Sequence, residues 1–333
     1  MTHRPRPATR IAGGLRRGRA RRPSIIVLGD LMLDAVLAPS QTMVRGTDVP
    51  GRVMLRQGGS AANAARWLGR LGMRVQLICA VGRDGVGRAL VDTLRRDGVV
   101  VRATRTRRMT TGRIGVVVSS VSDMVGSAER SFVADRAAAD ALAPADLRSA
   151  WFRGVDVLHL PAYSLLGEPL GSAGRWAAQL ARINGAAVSV DLASSGPLLA
   201  GGQTAAQALL RSVAPDVLFA TAAEAEALLG GWALEGLLAF APVVVIKRGA
   251  QGASILARGE GMTPIRSDIA TRPIFSSDTT GAGDAFDAGF LAAWLEARTS
   301  GQPATESLRR ATLAGHRVAA RHLARAPQEL DIR

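Results

Sequence analysis

Short apolar runs alternate with helical stretches along most of the chain. The runs are rich in β-branched residues and end at Gly, Asp or Pro, which is typical of buried strands. They are SIIVLGD (24–30), VQLICAVG (75–82), VDVLHLP (155–161), AAVSVD (186–191), PDVLFA (215–220) and PVVVIKRG (242–249). The segments 85–98, 171–185 and 204–213 have the composition of helices. This alternation predicts a doubly wound α/β fold, a mostly parallel sheet with helices on both faces.

Polar or flexible residues follow several of these predicted strands. Asp30, Asp191 and Gly249 each fall where a strand should end. Ligands of such sheets bind at the carboxyl ends of the strands. We therefore expect the functional site at that edge.

Two segments break the alternation. Residues 36–57 lack helical periodicity and contain proline and glycine, and residues 111–134 resemble a hairpin with its turn near SDMVGS. We predict that both leave the main sheet and form a small β lid. A two-stranded hairpin is marginal alone, so its apolar side needs cover from the first segment, from substrate or from a second chain. A homodimer through the lid is therefore a candidate assembly.

The stretch GGSAANAARWLGRLG (58–72) begins with a Gly-Gly turn and continues as a helix of small residues. Paired glycines let a backbone approach closely, either for helix packing or for a ligand. Asn63 is an amide in an otherwise apolar helix, which favours a ligand with hydroxyl groups.

The stretch DTTGAGDAFDAGF (278–290) places small residues and then Asp284 at the start of a predicted helix. A helix start offers free N–H groups and the positive end of the helix dipole, which suit an anion. By itself, Asp284 is either a stabilising N-terminal carboxylate or a base beside a phosphate. An aromatic stripe at spacing four anchors this helix in the core: Phe286, Phe290 and Trp294.

Composition excludes several classes of protein. The chain of 333 residues has one cysteine, Cys79, in a predicted buried strand, so it has neither an internal disulfide framework nor a cysteine-rich zinc site. No apolar run is long enough for a membrane span, and we expect a cytoplasmic protein without a membrane partner.

There is no G-x-x-x-x-G-K-[ST] and no G-x-G-x-x-G after the first strand, which disfavours a P-loop ATPase and a simple dinucleotide dehydrogenase.

The net charge of +15 is unevenly placed. Residues 1–22 contain eight arginines and no acid, and they lack the apolar core of a secretory signal. We predict a disordered Arg-rich extension before a single domain over 23–333. A transit peptide and a nucleic-acid-binding arm are the alternatives. The remaining arginines are scattered without interleaved aromatics, so no nucleic-acid partner is expected.

The two glycine-rich stretches together resemble the signatures of the ribokinase-like (pfkB) carbohydrate kinase family, in the same order and spacing. The resemblance spans roughly residues 24–325. It implies an ATP-dependent phosphotransferase that acts on a primary hydroxyl of a small sugar or sugar-like substrate, with ATP and Mg²⁺, and K⁺ in some members. A nucleoside kinase, for example for pseudouridine, and a catalytically weak sugar-binding homologue are the alternatives.

The resemblance also implies roles for matching positions. Asp284 would be the catalytic base. The anion hole would be formed by Gly281, Ala282 and Gly283. The substrate-binding residues would be Asp34, Gly58, Gly59 and Asn63. The nucleotide-binding residues would be Thr221, Lys247, Gly249 and Gly252. The metal positions would be Glu224, which orders Mg²⁺ through water, and Asp278 and Thr280, which lie near a monovalent-cation site.

Two positions depart from the family pattern. Thr221 stands where the family usually has Asn, which removes one polar contact to phosphate or metal-bound water. The chain ends in ARHLARAPQELDIR, without the usual Gly-Ala turn after the last helix. Because that turn contributes to the cation site, we expect K⁺ to stimulate activity weakly or not at all.

Overall fold

The computed structural model describes residues 22–118, 130–231, 233–259, 264–274, 276, 278–298, 304–326 and 328–331. Thirteen strands lie within these ranges. They are β1 Ser24–Leu28, β2 Met32–Pro39, β3 Gly51–Gly58, β4 Arg74–Gly82, β5 Val100–Thr106, β6 Arg113–Val118, β7 Arg130–Asp135, β8 Val157–Pro161, β9 Ala187–Asp191, β10 Val217–Thr221, β11 Val243–Lys247, β12 Ala253–Ala257 and β13 Ile265–Ile269. The predicted extension, apart from Arg22, lies outside the described residues.

The larger sheet has the order β13-β12-β11-β10-β9-β8-β1-β4-β5 within the described ranges. The pairs from β11 through β5 are parallel, and β12 and β13 add an antiparallel edge. The doubly wound, mostly parallel fold predicted from the sequence is confirmed. Asp191 is the last residue of β9, and Asp30 lies two residues after β1, so both are at the predicted edge.

Helices cover both faces of this sheet. In the described ranges they are α1 Ser60–Arg70, α2 Gly85–Arg96, α3 Leu170–Ile183, α4 Ser195–Leu199, α5 Gln203–Val213, α6 Ala222–Leu229, α7 Ala282–Arg298 and α8 Ala304–Leu323. One apolar core joins the sheet to α1, α2, α7 and α8, and a second joins it to α3 through α6. Phe286, Phe290 and Trp294 are buried in the first core, so the start of α7 is held rigidly.

The predicted lid is a separate four-stranded sheet with the order β3-β2-β6-β7. Its first segment begins at Met32 rather than at residue 36, because β2 pairs along its whole length with β3, from Met32 opposite Gly58 to Pro39 opposite Gly51. β6 and β7 form the predicted antiparallel hairpin. The turn predicted near SDMVGS lies outside the described residues.

The two faces of the lid differ in their surroundings. Ile114, Val116 and Phe132 line a cavity against the main domain. The opposite face carries Val53 and Val133, which are 65% and 75% exposed. An exposed apolar face is compatible with the homodimer suggested from the sequence, which stays a prediction. None of the helices in the described ranges combines the length and apolar character that a membrane crossing requires.

Candidate active site

The start of α7 is shaped by one glycine with a positive φ. Gly281 has φ +83°, and a Cβ there would lie 3.2 Å from His322 Cε1 and 3.3 Å from Asn63 Nδ2. A side chain at this position would be strained by the backbone conformation and crowded by these two neighbours. The free amides of a first helical turn suit an anion, so the anion hole at Gly281, Ala282 and Gly283 stays a prediction. The amide of Ala282, however, donates to Thr279 O at 3.1 Å, so it is already engaged within the turn.

Asp284 lies in the first turn of α7 and lines the cavity beneath the lid. Loss of hydration raises the pKa of its carboxyl group to about 7, although the hydrogen bond from Asn63 opposes the shift. Asn63 Nδ2 donates to Asp284 Oδ2 at 2.9 Å, and Gln57 Nε2 donates to Asn63 Oδ1 at 2.9 Å. A carboxylate with a pKa near neutrality suits a general base. Asn63 therefore orients this carboxylate and has one N–H and one lone pair left for a substrate.

Asp34 projects from β2 into the same cavity and is 4% exposed. Burial raises the pKa of Asp34 to about 7, and Arg56 acts in the opposite direction. Among the described residues, Asp34 Oδ1 has no hydrogen-bond partner, which is unusual for a buried oxygen. A Cβ at Gly58 would lie 1.8 Å from this atom, so the glycine leaves the space that Asp34 occupies. The geometry fits a carboxylate that can accept a hydrogen bond from a substrate hydroxyl.

Arg136 also lies on the wall of this cavity, and the sequence assigned it no role. Arg136 Nη1 lies 3.3 Å from Asp30 Oδ2, and Arg136 Nε lies 2.7 Å from Asp140 Oδ1. The guanidinium covers the ring of Tyr163 at 4.9 Å. The arginine is thus paired with two carboxylates. Gly59, with φ +96°, lies against the backbone of Asp30, where a Cβ would come within 2.7 Å of Asp30 O. An acceptor site rich in carboxylates disfavours an anionic acceptor.

Lys247 lines both the acceptor cavity and a neighbouring second cavity. Its Nζ lies 3.0 Å from Asp191 Oδ1 and 3.2 Å from Asp287 Oδ1. Burial alone would lower the pKa of Lys247, but Asp191 and Asp287 outweigh it and hold the pKa above its ordinary value. Asp287, three residues after Asp284 on α7, is fully buried. The lysine thus bridges two buried carboxylates beside the helix start.

The second cavity also borders the start of α7 and measures about 710 Å³, against about 840 Å³ for the acceptor cavity. Gly249 and Gly252 line it, as do Phe286 and His316. The two cavities share Thr221, Lys247, Thr279 and Gly283. All four predicted nucleotide-binding residues border this second cavity. His316 of α8, to which the sequence assigned no role, also lies on its wall.

Thr221 and Glu224 form a reciprocal cap at the start of α6. Thr221 N donates to Glu224 Oε2 at 2.8 Å, and Glu224 N donates to Thr221 Oγ1 at 3.2 Å. In the part of the chain that the structure describes, no group of three or more His, Cys, Asp or Glu side chains could hold a metal ion by itself. Asp191 and Glu224 nevertheless line the acceptor cavity with their carboxylates. Such donors fit Mg²⁺, which keeps several waters and phosphate oxygens as ligands.

The comparisons with known proteins identify the family. The chain matches the pfkB family carbohydrate kinase over residues 22–331, and it belongs to this family. It is 32% identical to a fructokinase of Klebsiella pneumoniae over 280 residues, which cover 80% of this chain and 83% of that protein. The protein is a phosphotransferase, a sugar or nucleoside kinase with a ribokinase-like fold.

Two solved structures share this fold. One is the adenosine kinase of Sinorhizobium meliloti, with a TM-score of 0.74, 22% identity and coverage of 92% of this chain and 94% of that chain. The other is a putative ribokinase II of E. coli in complex with ATP and Mg²⁺, with a TM-score of 0.73, 22% identity and coverage of 92% and 95%. The small sheet over the acceptor cavity belongs to the same architecture.

Proposed function

We propose that this kinase transfers the γ-phosphoryl group of ATP to a primary hydroxyl of a small, uncharged sugar, with Asp284 as the catalytic base. One observation carries the proposal. Asp284 lies at the start of α7 on the wall of the acceptor cavity, while Gly283, directly before it, lines both this cavity and the second one. A hydroxyl in one cavity and a triphosphate in the other would meet at this helix start.

In the proposed step, Asp284 takes the proton of the acceptor hydroxyl while the hydroxyl oxygen bonds to the γ-phosphorus. The bond from that phosphorus to the bridging oxygen breaks, and ADP leaves. The amides at the start of α7 stabilise the charge that develops on the phosphoryl oxygens. Lys247 adds positive charge next to Gly283, because a Cβ there would lie 3.3 Å from its Nζ. Bound Mg²⁺ would supply charge neutralisation on the phosphates, with Asp191 and Glu224 as the residues that could hold it through water.

The acceptor is proposed to be a sugar because of the polar groups that face it. Asp34, Asp30 and Asp140 offer hydroxyl acceptors, and Arg136 is the donor between two of them. The fructokinase relative agrees with this choice. A nucleoside is the second candidate, because the lid contributes an apolar wall with Phe132, which could cover a base.

A screen of ADP release over neutral sugars, sugar acids and nucleosides tests the function. We expect turnover with at least one neutral sugar and little with sugar acids. Turnover with nucleosides alone would select the second candidate. If no acceptor in the panel supports ADP release, the proposed function is wrong.

Asp34→Ala is expected to raise the acceptor KM by about 5- to 150-fold. The reason is that a buried substrate hydroxyl left unpaired costs about 1–3 kcal/mol. The KM for ATP should stay within about twofold of wild type. Asp48→Ala, at an exposed loop position, serves as the control. A change in the KM for ATP without a change in the acceptor KM would mean that the two sites have been exchanged.

A further inference from the structure

The loop before α7 is held by two side chains that lie far from it in sequence. Arg56 donates to Asp278 Oδ2, and His322 Nε2 contacts Thr280 O at 2.7 Å. Within the loop, Thr280 N donates to Asp278 Oδ1 at 2.9 Å, and Ser276 Oγ donates to Asp278 O at 2.9 Å. Because Gly281 follows directly, this loop fixes the position of the anion hole.

The protonation state of His322 follows from its partners. Trp67 Nε1 lies 3.1 Å from His322 Nδ1. An indole N–H can only donate, so Nδ1 is the acceptor and Nε2 carries the hydrogen. His322 therefore donates to the carbonyl oxygen of Thr280 as a neutral imidazole. Burial lowers the pKa of His322 and favours this neutral form.

Arg56 connects the loop to the lid. It lies on β3, opposite Asp34 of β2 in the strand register, and its side chain is 13% exposed. The guanidinium thus pairs directly with the loop carboxylate of Asp278, and its charge also lowers the pKa of Asp34 on the neighbouring strand. Since arginine stays protonated in proteins, this charge is permanent.

These contacts conflict with the monovalent-cation site that the family resemblance implied at Asp278 and Thr280. Oxygen atoms are the ligands of alkali cations, and Asp278 Oδ2 and Thr280 O already accept hydrogen bonds from Arg56 and His322. The cation would also meet the positive guanidinium at close range. The residues present therefore do not fit K⁺.

We propose that Arg56 and His322 replace the monovalent cation in this protein, with Arg56 as the built-in charge that positions the anion-hole loop and ties it to the lid. The proposal rests on the proposed kinase function for its catalytic consequence. The expected binding of K⁺ when Arg56 is removed does not depend on kinase activity. A cavity of about 880 Å³ borders Arg56, Asp278 and His322, so a small cation could reach the site once the guanidinium is removed.

The first arm of the test measures thermal unfolding with KCl against tetramethylammonium chloride at fixed ionic strength. The Tm of wild type should not differ between the two salts. In Arg56→Ala, the vacated carboxylate should bind K⁺ and raise the Tm by about 2–4 °C. Arg52→Ala, an exposed arginine of the same strand, should behave as wild type. This arm gives an answer even if no acceptor is ever found.

The second arm measures steady-state rates with a turnover acceptor. Wild-type kcat should change less than twofold with K⁺. Arg56→Ala should lose about tenfold or more in kcat at an unchanged KM for ATP, and K⁺ or guanidinium should restore at least threefold. Arg56→Lys should keep most of the activity, which a purely packing role would not predict. Tenfold activation of wild type by K⁺, or an Arg56→Ala variant that shows neither the Tm shift nor rescue, would overturn the proposal.

Discussion

Replacing Asp284 with asparagine is expected to lower kcat by about 10²- to 10⁴-fold, the range for loss of a general base. Asparagine keeps the size of the side chain and can still contact Asn63, but it cannot take the proton of the acceptor hydroxyl. The KM for ATP should change little, because the second cavity is lined by other residues. Asp92→Asn, a half-exposed carboxylate on α2, is the matched control and should be fully active. Activity of Asp284→Asn within about threefold of wild type would remove Asp284 from this role.

The pH profile gives an independent test of the same assignment. The base works only when it is deprotonated, so kcat/KM should fall as the pH drops below about 7, the pKa to which burial raises Asp284. Asn63 donates to the charged form and so lowers that pKa. Asn63→Ala should therefore move the acidic limb to higher pH.

Asp34 also has a pKa of about 7, so its contribution to the profile must be separated. Asp34→Asn should raise the acceptor KM yet retain an acidic limb in kcat/KM. Loss of the limb in Asp34→Asn, or an unshifted limb in Asn63→Ala, would mean that the profile reports Asp34 instead of Asp284.

The fold was predictable where the sequence pattern is strong. The six predicted strands all lie in the larger sheet, because buried parallel strands are continuous apolar runs. β5, β12 and β13 were not predicted. β12, ASILA, is a short buried run that directly follows the glycine turn after β11. β5 and β13 have a different reason. They are the two edges of that sheet, and edge strands carry charged residues that interrupt the apolar pattern, as Arg102 and Arg266 do here.

The site was predictable where the residues fall in the two glycine-rich stretches. The structure brings Asn63 and Asp284 into direct contact, although they are 221 positions apart. Arg56 and His322 could not be assigned, because their partners lie 222 and 42 positions away and no local pattern marks such pairings. Arg136 could not be assigned either, because its contacts with Asp30 and Asp140 depend on the fold.

Lys247 is expected to matter for stability, since it is the chain's only lysine and pairs with two buried carboxylates. Lys247→Met keeps the length of the side chain and removes its charge. Asp191 and Asp287 would then face each other without a cation, so the free energy of unfolding should fall by about 3–5 kcal/mol. Arg248→Met, which removes a more exposed partner of Asp268, should cost less than about 1 kcal/mol. Urea unfolding of both variants at pH 8 measures the difference.

The loss in Lys247→Met should also depend on pH with a defined sign. Burial and the neighbouring Asp191 raise the pKa of Asp287, while Lys247 opposes them. Without the lysine, the folded protein holds a proton on this pair that the unfolded chain releases, so stability declines as the pH rises above the unfolded pKa of about 4. The deficit relative to wild type should therefore be smaller at pH 5.5 than at pH 8. Adding Asp287→Leu to Lys247→Met should recover part of the lost stability, since the buried carboxylate of Asp287 is then removed as well. Equal deficits at both pH values, or no recovery in the double variant, would show that Lys247 contributes through packing and not through its charge.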